Sequence, residues 1–365
     1  MPCKCISTEI DGEIQMEEVK PFPNCPALDG YHCQSSSLAK IYHFNNCSLS
    51  EDMLLGIGAG MGFIYWQMKG NPETNIPYYV FIGGRGNNKN YFEDVGKRTG
   101  VKIKQISTSS KIKAEKNLLE KLNKKEPVMM FGDMGFLPWF DLPEDYHFGG
   151  HTFVVCGYDG KTKVLASDMD QKTGGLKKGF YYPVTLEQLQ KARSSSFKPF
   201  PPKNTYLDFD FSNYHLPTKK DIYDSIKQTV DAMMNPPIRN IGVKGIRKTA
   251  KEIQKWPKIF PDFELRMNLF TIYIFVEIGG TGGGCFRYMY ARFLKEAAEI
   301  TGNDALNAAS NMINESGKLF TKFGMLFKEA PESDNILEKI QKADELLEQI
   351  ASKEEKTYTF LERNI

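Results

Sequence analysis

The chain has 365 residues, of which 41% are hydrophobic and 25% charged, a balance that is typical of a globular protein and excludes a disordered one. A formal net charge of +2 gives no overall electrostatic attraction to nucleic acid. The most apolar stretch, 267–278, is too short to cross a bilayer and contains Glu277, so no membrane span is predicted. Seven irregularly spaced cysteines, with no signal-peptide pattern before them, predict a cytoplasmic protein with reduced thiols.

The first half of the chain is predicted to mix strands and helices. Residues 1–30 are expected to form an irregular lead-in, and no metal site is predicted there, because Cys3, Cys5 and Cys25 have no second cysteine pair to complete a zinc pattern. Residues 33–44 are expected to form a helix. A second helix is predicted over 113–125, and strands are predicted over the short apolar runs 78–82, 128–131, 151–158, 163–168 and 179–182.

The second half is predicted to be helical. A stretch rich in proline, serine and aromatic residues, 194–217, predicts a linker. Beyond it, apolar residues recur every three or four positions over 218–234, 243–256 and 336–350, and the charged segment 332–356 is expected to be a solvated outer helix. The predicted fold class is α+β, with an antiparallel-sheet domain over 31–205 and an all-helical domain over 206–365.

A histidine and an aspartate are predicted to meet on one hairpin. The strands 151–158 and 163–168 are joined through Asp159-Gly160, a dipeptide typical of two-residue hairpin turns. With such a turn, His151 lies directly opposite Asp168 on one face of the sheet. A carboxylate in that place fixes the imidazole tautomer and stabilises the imidazolium, which makes this pair the base half of a nucleophilic triad.

Cys33 is the predicted nucleophile, because the start of a helix and a neighbouring imidazolium both lower the pKa of a thiol. Each residue alone has an ordinary structural explanation, but the order Cys33, His151, Asp168 favours a papain-like arrangement. Cys285, which follows a glycine run, is held as a backup nucleophile. His32 is expected to line the same site.

The oxyanion hole of such a site is expected to use the backbone N–H of Cys33 and a second donor. The papain-like pattern places a glutamine upstream of the cysteine. Between Pro21 and His32 the only side-chain amide is that of Asn24, so the sequence leaves the second donor open.

Six segments together resemble the acyltransferase family typified by butirosin biosynthesis protein H, from about residue 30 to residue 326. They are HCQSSSLAKIYHFN, SEDMLLGIGAGMGFIYW, EPVMMFGDMGFLPWF, HTFVVCGYDGKTKVLASD, KGIRKTAKEIQKW and GGTGGGCFRYMYARFLKEAAEI. The resemblance implies a cysteine-peptidase-like fold that transfers acyl groups, with Cys33 as nucleophile, His151 as base and Asp168 as orienting residue.

The same resemblance implies the partners of the reaction. The acyl or peptidyl group would arrive as a thioester on the phosphopantetheine arm of a carrier protein, with no cofactor bound to the chain itself. The acceptor would be a small amine, either an aminoglycoside or a diamine of the kind used in closthioamide assembly. The setting would be natural-product biosynthesis, and a homo-oligomer is compatible with the sequence.

Further residues are candidates for substrate binding. Carboxylates and aromatic rings suit a cationic amine, which indicates Asp133, Trp139 and Asp141 upstream of His151, an ordinary surface loop being the alternative. Glu277 in an apolar run is either paired with a buried cation or a substrate contact. Arg287, near a predicted helix start, could meet the pantetheine phosphate, tight helix packing being the alternative. Lysines and arginines between 97 and 125 could form a basic face for an acidic carrier protein.

Two other functions remain open at this stage. A cysteine peptidase or amidase would use the same triad for hydrolysis. A catalytically silent binding protein could keep the fold without the chemistry.

Overall fold

The computed structural model describes residues 19–69, 78–86, 89–170, 175–198 and 200–365, so Cys3 and Cys5 lie outside the described residues. The strands are β1 Met61–Lys69, β2 Tyr78–Arg85, β3 Lys102–Ile106, β4 Val128–Gly132, β5 His151–Tyr158, β6 Lys163–Met169, β7 Gly179–Thr185 and β8 Tyr206–Asp210. The α-helices are α1 Cys33–Phe44, α2 Glu51–Ile57, α3 Tyr91–Thr99, α4 Lys111–Asn123, α5 Leu186–Arg193, α6 Lys219–Met234, α7 Gly242–Ile253, α8 Trp256–Ile259, α9 Asp262–Tyr273, α10 Arg287–Thr301, α11 Ala305–Met325 and α12 Ile336–Asn364.

The larger sheet has six antiparallel strands in the order β3-β8-β4-β5-β6-β7. Its central strand β5 is buried along nearly its whole length, because α1 packs on the sheet and α4 and α5 also contact it. Strands that are covered on both faces have continuous apolar runs, which explains why HTFVVCGY does not alternate. All five predicted strands are present, and the helix predicted at 33–44 has those bounds in the structure.

The β5–β6 hairpin differs from the predicted two-residue turn. Its connection has four residues, in which the Asp159 side chain accepts hydrogen bonds from the backbone N–H groups of Lys161, Thr162 and Lys163. Gly160 has the left-handed φ of 76° that the bend requires. The register then shifts between Val155 and Gly157, so the predicted direct pairing of His151 with Asp168 is wrong. The two side chains nevertheless meet, diagonally across the strands.

The second half of the chain is helical, as predicted, but its last helix is not a solvated outer one. The helix α12 packs on α6, α7 and α11 and buries a continuous stripe of side chains. That stripe includes the charged Glu354, which is fully buried. The fold class is therefore confirmed as α+β with antiparallel sheets and a helical C-terminal region. Among the described residues, no helix has both the length and the hydrophobicity to cross a bilayer.

The predicted linker 194–217 contains β8, which pairs with β3 and β4 inside the larger sheet. The sheet therefore extends past the predicted boundary at residue 205. A second, two-stranded sheet of β1 and β2 packs against α7 and α9, and α2 packs against α10. These contacts join both halves of the chain through a continuous apolar core.

Candidate active site

The N-terminus of α1 is stabilised by a side chain from another helix. His32 is the N-cap residue and its side chain makes no capping hydrogen bond. Instead, the carboxylate of Glu51 in α2 accepts hydrogen bonds from the backbone N–H groups of Tyr31 and His32, each at 2.8 Å, and from the Ser35 hydroxyl at 2.9 Å. Burial raises the pKa of Glu51 to about 7 despite these three donors. This arrangement fixes the backbone immediately before Cys33.

Cys33, His151 and Asp168 form one hydrogen-bonded chain. Nε2 of His151 lies 2.7 Å from Oδ2 of Asp168. The His151 side chain also forms a hydrogen bond with Cys33, which leaves Nδ1 as the ring nitrogen that faces the sulfur. The backbone N–H of Thr152, the next residue along β5, donates to the same sulfur. The structure thus brings together the nucleophile, base and orienting residue predicted from the sequence.

The electrostatic environment of Cys33 and His151 favours an ion pair between the thiolate and the imidazolium. Burial opposes charge on Cys33, but the hydrogen bond and the charge of His151 outweigh it, so the thiol pKa is lowered. Burial also opposes charge on His151, but the Asp168 carboxylate outweighs it and raises the imidazole pKa to about 10. The pKa of Asp168 is lowered by His151, by Lys40 and by the Met169 N–H, against the effect of burial. Both shifts favour a thiolate beside an imidazolium over the neutral pair.

An aromatic loop covers the buried half of the site. The indole Nε1 of Trp139 donates to Oδ2 of Asp168 at 2.8 Å, and the ring stacks on Tyr182 at 4.9 Å. Phe140 packs edge-on against the His151 ring at 5.0 Å. The exposed fractions are 4% for His151 and 2% for Asp168, whereas Cys33 is half-buried.

The sequence-based role of Asp133 as an amine contact is wrong. Its side chain is fully buried, and its oxygens accept hydrogen bonds from the N–H groups of Gly135 and Phe148, from the Ser195 hydroxyl and from His147 Nδ1. The carboxylate therefore anchors the loop that carries Trp139. Trp139 itself belongs to the site, but through Asp168. Asp141 is exposed in the middle of the same loop.

Within the described residues, no cluster of three or more histidine, cysteine, aspartate or glutamate side chains could hold a metal ion.

Residues 32–169 match the family described as butirosin biosynthesis protein H, N-terminal, and this match includes Cys33, His151 and Asp168. The N-terminal part of the chain is therefore similar to the butirosin biosynthesis protein H family. Residues 187–361 match a domain of unknown function, DUF4872, and no curated protein matches the chain.

The second half of the chain reaches the site through a glycine-rich loop. Nδ1 of His32 lies 3.0 Å from the carbonyl oxygen of Gly280, and the His32 ring packs edge-on against Phe286 at 5.0 Å. Glu277, on the π-helical turn before this loop, accepts hydrogen bonds from Gly284 N–H at 3.1 Å and from the Thr321 hydroxyl at 3.2 Å. His32 therefore borders Cys33 as predicted, while Glu277 braces the loop itself.

Two further predictions in the second half are wrong. Arg287 has no exposed side-chain surface and donates to both oxygens of Glu354, so its guanidinium is unavailable to a phosphate. Cys285 is fully buried at a left-handed φ of 54°, and burial raises its thiol pKa to about 12. It is therefore unsuited to act as a nucleophile.

Sequence reasoning missed several groups around the sulfur. Lys40 of α1 and Lys177 are buried near Asp168, and burial lowers the pKa of both. Glu51 and Arg85 come from distant elements, and only the tertiary structure brings them to α1. Gln34 and Thr152, by contrast, follow Cys33 and His151 directly in the sequence, so their positions alone could have suggested them.

Proposed function

We propose that the chain is an amide-forming N-acyltransferase that works through an acyl group on Cys33. The observation that carries the proposal is the half-buried Cys33 thiol, with a lowered pKa, hydrogen-bonded to an imidazole that Asp168 holds. A thiolate formed this way is a strong nucleophile at neutral pH. A family connection to a butirosin biosynthesis protein supports a biosynthetic role.

In the first half-reaction the Cys33 sulfur attacks the thioester carbonyl, and a new C–S bond forms. The old C–S bond breaks, and the departing thiolate takes the proton from the His151 imidazolium. In the second half-reaction an amine attacks the acyl-enzyme, His151 takes the amine proton, and the Cys33 thiolate leaves. The product is an amide, and the energy comes from the thioester.

The fold supports a papain-like assignment of the N-terminal part. The nucleophile begins a helix that packs on an antiparallel sheet, and the base lies on the strand that contacts this helix. The two family matches, which end at residue 169 and begin at residue 187, support a division into two domains. The nucleophile and base fall in the first of these.

Aminolysis requires that water reach the acyl-enzyme poorly. Trp139 and Phe140 shield Asp168 and His151, while the sulfur stays half-buried. A thioester on the phosphopantetheine arm of a carrier protein suits this geometry, because a narrow arm can reach a recessed thiol. The arm would belong to the partner, and the acceptor would be an aminoglycoside or a small diamine.

The test is intact-protein mass spectrometry with a carrier protein loaded with an acyl thioester. Wild type should gain the mass of the acyl group and lose it on addition of a diamine, with amide formed in equal amount. Cys33→Ala should gain no mass, whereas the matched control Cys47→Ala should behave as wild type, because Cys47 hydrogen-bonds to Asn45 and lies outside the hydrogen-bonded chain.

An adduct that persists in Cys33→Ala would remove Cys33 from the proposed role. Free acid as the main product in excess diamine would indicate a cysteine amidase or peptidase. A wild-type protein in which Cys33 resists iodoacetamide would indicate a silent binding protein.

A further inference from the structure

The structure offers a donor for the oxyanion hole that the sequence left open. We propose that the side-chain amide of Gln34 is the second oxyanion donor beside the Cys33 backbone N–H, and that Arg85 orients it. This inference rests on the proposed acyl transfer at Cys33. It replaces the upstream glutamine of the papain-like pattern with a residue that follows the nucleophile.

The position of Gln34 is the first support. It follows Cys33 in the first turn of α1, and both residues are half-buried. The first N–H groups of a helix have no acceptor within the helix. Glu51 takes the N–H groups of Tyr31 and His32, whereas the first intrahelical bond is made by Ser36, to the His32 carbonyl. The Cys33 N–H therefore remains available to a developing oxyanion.

The contact with Arg85 decides which way the Gln34 amide faces. Nη2 of Arg85, at the end of β2, donates to Oε1 of Gln34 at 3.2 Å. Because the oxygen is bound to Arg85, the two N–H bonds of the amide point elsewhere. The neighbouring His32 ring does not take them up, because its Nδ1 faces the Gly280 carbonyl and its Nε2 is buried without a hydrogen-bond partner. The N–H bonds of the Gln34 amide therefore remain for a substrate oxygen.

Within the described part of the chain, no carboxylate forms an ion pair with the positively charged Arg85. The guanidinium lies 4.2 Å above the centre of the Tyr91 ring, and its Nη1 is buried with no hydrogen-bond acceptor. A buried cation without a partner is costly. Its electrostatic neighbours are Tyr91 and Cys33, so an anion that forms at the sulfur or on the attacked carbonyl would offset this cost.

The two sets of neighbours of Cys33 then have separate tasks. His151 and Thr152 from β5 hold the sulfur and handle the proton. As the sulfur bonds to the carbonyl carbon, the C=O electron pair moves onto the oxygen. The N–H of Cys33 and the amide of Gln34 donate to that oxyanion until it collapses and expels the leaving group. Arg85 is a positioning residue, and Gln34 is the catalytic one.

The test compares two reactions of the same sulfur in the full-length protein. Acylation by p-nitrophenyl acetate passes through an oxyanion, whereas alkylation by iodoacetamide is a displacement at carbon that forms none. Gln34→Met keeps the side-chain length but removes the donor. At a pH where alkylation has reached its plateau, this variant should acylate about 100-fold more slowly and alkylate at the wild-type rate. Gln105→Met, in the exposed part of β3, is the matched control and should change neither rate.

Arg85 variants test the positioning role. Arg85→Met should lower the acylation rate and move the pH midpoint of Cys33 alkylation upward, because a cation near the thiolate is lost. Arg85→Lys keeps the charge and a donor, so both measurements should lie closer to wild type. A purely structural role of Arg85 would leave the pH midpoint unchanged.

The outcomes separate this inference from the function on which it rests. Equal acylation rates in wild type and Gln34→Met would overturn the inference and leave the acyl-enzyme intact. A parallel loss of alkylation and acylation in Gln34→Met would mean that the residue supports the fold, which also overturns it. A wild type that is alkylated at Cys33 but never acylated would overturn the proposed function, and the inference with it.

Discussion

The Cys33–His151–Asp168 chain and the Arg287–Glu354 pair are both buried and charged, yet they use their hydrogen-bonding capacity differently. Arg287 donates to both oxygens of Glu354, at 2.7 and 3.0 Å, and to two backbone carbonyls. Glu354 also accepts from a serine and a tyrosine hydroxyl, so the pair has no room for a ligand. At Cys33, a thiol with a lowered pKa and a helix N–H stay open. Complete pairing marks a structural cluster, and spare capacity marks a site.

A second contrast lies within the N-terminal part, which contains two histidine–aspartate pairs. In the pair His147–Asp133 the Ser195 hydroxyl also bonds to the carboxylate, and the ring lies flat on Phe197 at 3.5 Å. The imidazole therefore activates no nucleophile. In the pair His151–Asp168 the ring turns its second nitrogen to a thiol. The same residue types anchor a loop in one place and, in the proposed function, supply a base in the other.

Removing the base should have the largest effect. His151→Ala leaves Cys33 without the imidazole that lowers its pKa and carries its proton, so acyl transfer should fall by at least about 10⁴-fold. The measurement is the rate of amide formation from the carrier-bound thioester. His43→Ala is the control, since His43 is exposed and its ring bonds to the Ser48 hydroxyl, away from Cys33. Comparable losses of the amide-formation rate in both variants would contradict a special role for His151.

Breaking the structural pair should affect stability instead. Glu354→Ala leaves the Arg287 guanidinium buried and unpaired, so the free energy of unfolding should fall by about 3–5 kcal/mol. Denaturant unfolding measures this change. The neighbouring Glu355→Ala removes only a surface pair with Arg247, so it should change the same quantity by about 0.5 kcal/mol or less. A variant at 354 that unfolds like wild type would show that the pair is not needed for the fold.

The pH dependence of alkylation sharpens the description of the site as an ion pair. Because the pKa of Cys33 is lowered, its thiolate persists below the ordinary thiol range and is lost only as the pH falls through that lowered pKa. Burial raises the pKa of Cys47, so its thiolate appears only above that range. At pH 7, iodoacetamide should label Cys33 at least about tenfold faster than Cys47, as read by peptide mass mapping.

A reversed order of labelling would contradict the ion pair. The same experiment in the variant His151→Asn should move the Cys33 midpoint upward, because the hydrogen bond and the charge of the imidazole no longer oppose the effect of burial.

The aromatic cover should have the smallest effect. Trp139→Phe keeps a ring against Tyr182 but removes the hydrogen bond to Asp168, while His151 and the Met169 N–H still bond to that carboxylate. We expect a loss of about 1–2 kcal/mol in unfolding free energy and a several-fold lower transfer rate. Calorimetry and steady-state kinetics measure the two. Trp256→Phe, a substitution in the helical core, is the control for loss of an indole, and only its stability should change.

Local patterns in the sequence predicted much of the site. The helix at Cys33–Phe44 and the strands that carry His151 and Asp168 follow from apolar periodicity and length. The meeting of the two side chains was predicted from a turn that the structure does not contain. A four-residue connection and a register shift compensate for each other closely enough to keep the side chains in contact. The prediction was therefore right because the two residues lie on neighbouring strands, and not because its register was right.

What the sequence determined by itself was five of the strands, the helix that Cys33 begins and the chain order of Cys33, His151 and Asp168, because helix and strand periodicity and sequence proximity are local properties. Tertiary structure decided what the isolated residues could do. It paired Arg287 with a carboxylate 67 positions away, drew β8 out of the predicted linker into the sheet and set Arg85 against Gln34. Charged side chains and unpaired strands bind whatever partner burial brings to them, and burial is a property of the whole chain.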